Sequence, residues 1–185
     1  MTNRGFGSRF SEMAIEAALV VFAVMIALAV EEWREEAQLE EFAERAEMAV
    51  RAEIQANLDE VAANTPSITR AITDLAPLRP TDSDFDPTTV AVDLDLADFS
   101  TGAWEAARMT QAAGRIDFEW VIEVSRTYDV MRITSDMQGD IIDQMALLIG
   151  GQTDTATYRL LFGRLVVLNQ TYETLQEMLE ALLEE

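Results

Sequence analysis

The chain has 185 residues, 34 acidic against 13 basic side chains and a net charge of −21, with no Cys and no His; every basic residue is Arg. This composition excludes thiol and Ser-His-Asp chemistry, Schiff-base lysines and His or Cys metal sites. It also argues against nucleic acid as a partner, because a phosphate backbone needs a basic surface.

Residues 1–12 form a short tail carrying Arg4 and Arg9. Met13 to Val30 is then apolar apart from Glu16, a run of roughly 27 Å as a helix against a hydrocarbon core of about 30 Å. Phe10 and Trp33 bracket it at spacings suited to the two interfaces. The pattern predicts a membrane anchor over 13–33. A cleaved signal peptide is the rival reading, with Ala27-Leu28-Ala29 as an A-x-A site; Glu16 within the apolar run and the unbroken helix formers beyond it count against that.

Arginine counts on the two sides of the run are near balance. The short tail, with no acid before Glu12, is the easier side to retain in the cytoplasm, which would put the remainder in the periplasm of a bacterial inner membrane. Glu16 has two readings: it snorkels to the nearby interface, or it pairs with a polar or basic group on a neighbouring span. Ala14 and Ala18, then Ala23 and Ala27, are small residues four apart that would permit close helix approach. One carboxylate without a relay is thin support for proton or ion conduction.

After the anchor, about 150 residues suffice for one domain with a core. Residues 34–63 show an apolar stripe (Leu39, Phe42, Ala46, Val50, Ile54, Leu58, Val61) at helical spacing, which predicts a stem helix stopping at Asn64-Thr65-Pro66. A short helix, Ser67 to Leu75, follows. Residues 77–99 are irregular. Asp82, Asp84 and Asp86 have the spacing of a calcium loop, but Pro87 stands where such a loop needs Gly, so an acidic surface loop is the plainer reading and no cofactor or metal is expected. Val90, Val92, Leu94 and Leu96 alternate with acids, as in an extended segment lying along other elements.

Ser100 is the expected N-cap of a helix over Thr101 to Ala113, stopped by Gly114. Asp117 caps the next, and Ser135 or Asp136 starts another, ended by Gly150-Gly151. Trp104 and Trp120 are expected core anchors, and Arg108, Arg115, Arg126 and Arg132 are expected in internal ion pairs. The last helix, about Asp154 to Leu183, carries Leu161, Leu165, Leu168, Tyr172 and Leu175 at alternating fours and threes. They form either a bundle face against the stem or a seam for a partner or second copy.

Ala14 to Glu36 resembles the start of a group of uncharacterised bacterial single-pass membrane proteins. In these a glutamate lies early in the span, which ends in Ala-Leu-x-x-x-x-Trp and charged residues. Here Glu16, Ala27, Leu28, Trp33, Arg34, Glu35 and Glu36 match, and Trp104 and Tyr128 look like a later Trp–Tyr pair of that group. Glu32 departs from the group's polar amide, and the tail is less basic. The resemblance implies a single-pass anchor and a helical outer domain, and no activity.

The reading is therefore an all-α chain: an N-terminal transmembrane helix, a stem, and an antiparallel helical bundle over 34–185. Its expected role is non-enzymatic, as an accessory or assembly subunit of a membrane complex, in contact with the lipid bilayer and a protein partner or its own copies. The alternative is a membrane-anchored domain that binds a small ligand between helices.

Overall fold

The computed structural model describes residues 6–76, 92–149 and 155–184, except the side chains of 6–12, 14, 148, 149 and 155. All regular structure among them is helical: α1 (Phe6–Leu75), α2 (Gly102–Met109), a 3-10 turn (Gln111–Gly114), α3 (Phe118–Ile149) and α4 (Thr155–Glu184). The all-α expectation is met. Among the described residues, however, no helix is long and apolar enough to cross a membrane. The anchor expected over 13–33 includes residue 14, whose side chain lies outside the described residues; from Ile15 its described run is apolar apart from Glu16 as far as Val30 and ends at Glu31 and Glu32.

α4 runs opposite to α1: Arg51 reaches the Leu182 carbonyl, Thr69 meets Asn169, and Tyr158 donates to the Leu75 carbonyl. It also runs opposite to α3, since Trp120 reaches Leu182 and Gln138 reaches Tyr172. The core lies where the three helices meet. Val50, Ile54, Val61 and Ile68 of α1, Val124, Met131 and Ile141 of α3, and a row of leucines on α4 are all fully buried. Burying one such side chain contributes about 1.5–3 kcal/mol.

α1 does not stop at Pro66, which lies inside the helix. A proline there deprives the Ala62 carbonyl of its donor and costs about 3 kcal/mol. Beyond it, Ile68 and Leu75 are buried almost completely, and their burial outweighs that cost. Next to the gap, Asn64 Nδ2 donates to the Glu60 carbonyl at 2.8 Å and Thr65 Oγ1 to the Val61 carbonyl at 2.7 Å. The separate helix expected over Ser67 to Leu75 is thus the end of α1.

Two other boundaries differ from expectation. Asp117 caps α3 as expected, its Oδ1 accepting the Trp120 N–H at 2.9 Å. No new helix starts at Ser135: α3 runs through it, and the Thr134 and Ser135 hydroxyls, instead of capping, bond back to the Val130 and Met131 carbonyls. The helix expected over 101–113 divides at Thr110, whose backbone is extended, into α2 and the 3-10 turn.

Residues 92–100 form no regular secondary structure and have no ladder partner. Val92, Leu94 and Leu96 pack on the core while Asp93 and Asp95 face solvent, so the alternation read from the sequence holds for these residues; it ends where Ala97 is buried beside Leu96, and Val90 lies outside the described residues. Helix side chains satisfy the backbone of this strap. Ser67 Oγ accepts the Asp95 N–H, and the Tyr172 hydroxyl accepts the Ala97 N–H; Gln138 Nε2 donates to the Ala97 carbonyl. Asn57, 1% exposed, closes a two-bond pair with Ser100, donating to its carbonyl and accepting its N–H, both at 2.8 Å.

Candidate functional site

The N-terminal part of α1 stands clear of the other helices. Met13 and every residue from Ile15 to Gln38 is exposed, including Glu16, Ala18, Ala23 and Ala27, and Trp33 is 70% exposed. Phe10 and Ala14 lie in α1, but their side chains are outside the described residues. Leu19, Val20, Val21, Phe22, Val24, Met25, Ile26 and Leu28 present an apolar surface on all sides of the helix. An amphipathic helix of a globular protein has a polar face; a helix apolar all round has to be covered by something apolar.

The row on α4 is a correction to one expected site. Leu161, Leu165, Leu168, Tyr172 and Leu175 are all 0% exposed, clamped between α1 and α3. The seam drawn as a partner contact faces the chain's own core, because two helices rather than one pack on α4. Phe162, Val166 and Met178, which widen the apolar face, are half-buried beside it.

A second constellation surrounds Glu53. Its Oε2 accepts the Ala103 N–H at 2.8 Å, and its Oε1 accepts the Trp104 N–H at 3.1 Å and the Tyr128 hydroxyl at 2.6 Å. α2 thus begins on a carboxylate supplied by α1. Thr101 stands at the N-cap position without a side-chain cap, and Ser100 is held by Asn57. The same carboxylate, together with burial, drives the Tyr128 phenol well above its ordinary range, burial being the larger cause.

Trp104 and Tyr128 pack at 5.7 Å between ring centroids and form the floor, with Phe99 and Met131, of a cavity of about 340 Å³ between α2 and α3. Arg108, 5.9 Å from the Trp104 ring, stands on the rim with Arg132, Glu105, Asp129 and Asp136. Arg132 lies 3.6 Å from Asp136, and Arg115 lies 3.8 Å from Glu36 of α1. Arg115, Arg132 and, with Glu123, Arg126 thus form ion pairs, but exposed ones, each contributing no more than about 1 kcal/mol, whereas the contact shown for Arg108 is the Trp104 ring. At the far end, Arg51 stacks 4.7 Å over Trp120, and both donate to the Leu182 carbonyl near the end of α4.

Asp82, Asp84 and Asp86 lie outside the described residues. Among the described residues, no group of three acidic side chains is placed to hold a metal ion. Glu53, Asn57 and Gln138 escaped sequence reasoning. For Asn57 and Gln138 the available signal was an amide at a buried position of an otherwise apolar helical stripe; Glu53 looks like any other acid in so acidic a chain. No protein-family profile, curated protein or solved structure matches the chain.

Proposed function

We propose that this is a non-enzymatic, single-pass membrane protein that acts as an accessory or assembly subunit of a membrane complex. The supporting observation is the exposed apolar sleeve of α1 running without a break into a helix that builds the core. From Ile15 to Val30 the sleeve is about 24 Å long, and about 27 Å from Met13. That is a few ångströms short of a hydrocarbon core, a mismatch that local bilayer thinning and snorkelling of flanking side chains take up. Trp33 would lie at one interface, and Glu16 is near enough to the other to approach it. The tail then lies in the cytoplasm and the acidic domain in the periplasm, held off anionic headgroups by its charge.

Carbonate washing of membranes containing the full chain tests this. Retention in the pellet, lost on deletion of 1–33, is the expected result; release of the full chain into the wash rejects it. Protease added to spheroplasts should degrade the domain, and protection would invert the orientation.

A second reading has its own support. The Trp104–Tyr128 cavity combines an aromatic floor with two rim arginines and three rim acids, which suits a small zwitterion with a flat apolar part. Quenching of tryptophan fluorescence by such compounds, lost in Trp104→Phe, would favour a ligand-binding role.

A further inference from the structure

α1 is one helix from Phe6 to Leu75, so the rotational position of its sleeve is set by the part that packs in the core. Counted at about 100° per residue from Glu16, Val20, Ala23, Ala27 and Arg34 all fall within about 40° of it. Glu36 and Ala43 fall about 180° to 200° away. Those two mark the side of the domain: Glu36 meets Arg115 at 3.8 Å, and Ala43 is buried. The strip through Glu16, Ala23 and Ala27 therefore looks away from α2, α3 and α4, and a second helix can lie along it without meeting the domain.

We infer that this strip docks a second membrane helix presenting an arginine or lysine level with Glu16. The inference rests on the membrane reading above. Charge selects the occupant: Glu16 makes no hydrogen bond or ion pair among the described residues, its neighbours one turn further along the helix, Leu19 and Val20, are apolar, and the residue one turn before it in the sequence, Glu12, is another acid rather than a counter-charge. A carboxylate at membrane depth is stabilised by an opposite charge in contact with it. Ala23 and Ala27 on the same strip let a partner backbone approach closely. A second copy would set Glu16 against Glu16, two like charges in a medium that strengthens their repulsion, so the occupant is a different chain. Arg34 ends the same strip about 27 Å further on and makes no ion pair among the described residues, so an acidic group beyond the span of that partner would complete the match.

The test uses the full chain in its native membrane, with a photocrosslinking residue at Ala23 or Ala27 and, as opposite-face controls, at Val21 or Met25. The expected result is one heterologous adduct, favoured about tenfold at the first pair, whose crosslinked peptide maps to an apolar span containing Arg or Lys. Glu16→Gln should lower that adduct about tenfold and leave carbonate resistance and the protease accessibility of the domain in spheroplasts unchanged. Equal yields on both faces, an adduct of two copies, a partner span without a basic residue, or indifference to Glu16→Gln each overturn the inference. If the unsubstituted chain is washed out by carbonate, the membrane reading fails and this inference with it; if it is retained and the adducts disagree, only the inference fails.

Discussion

The Tyr128 hydroxyl on α3 donates to Glu53 Oε1 on α1 at 2.6 Å, and that carboxylate also receives the first free N–H groups of α2. One side chain therefore ties three helices together. Glu53→Ala removes the acceptor from two backbone donors and a buried phenol. We expect a loss of about 2–4 kcal/mol in urea unfolding, and faster amide exchange at Ala103 and Trp104. Glu53→Gln should recover part of the stability, since its one carbonyl oxygen still accepts from some of these donors.

The response to alkali should be carried by tyrosine. The chain has three Tyr and no Lys, His or Cys, and Arg keeps its proton throughout the accessible range. Burial raises all three phenols above the ordinary 10.0; for Tyr172 the Ala97 and Gln138 hydrogen bonds act in the opposite direction. The folded state holds these protons more tightly than the unfolded chain does. Stability is therefore undiminished by the phenols below about pH 10 and declines as pH rises through and beyond it. Phenolate absorbance should rise together with loss of helical circular dichroism rather than ahead of it, and Tyr128→Phe should make the alkaline decline shallower.

Pro66 is exposed and lies within a helix whose following turns are buried. Replacing it with Ala restores a donor to the Ala62 carbonyl and removes the ring clash, with no loss of core. Pro66→Ala should raise stability by about 1–3 kcal/mol, read as a higher Tm.

Leu168 and Leu160 distinguish a core row from a partner seam. Leu168 is fully buried and Leu160 is 51% exposed. Leu168→Ala should cost about 2–5 kcal/mol in the isolated chain, and Leu160→Ala less than about 0.5 kcal/mol. A small effect at Leu168 would mean that the row is free for a partner after all.

Legible in the residues alone were the helical class, the solvent-facing acids, the apolar sleeve with its single early carboxylate, the Asp117 cap and the alternation of residues 92–96. These are local properties: a side-chain period of 3.6 or 2, or a cap and the N–H it binds a few residues away, can be read without knowing what lies opposite. That α1 continues through Pro66 depends on packing, since the compensation comes from Ile68 and Leu75 meeting other helices. Only the tertiary structure decided that the leucine row of α4 faces inward, because a 3.5-residue pattern specifies an apolar face and not its occupant. What holds the strap and the start of α2 was illegible for the same reason. Their backbone partners, Ser67, Asn57, Glu53, Gln138 and Tyr172, come from residues 28 to 75 positions away, and no local pattern records a hydrogen bond of that separation.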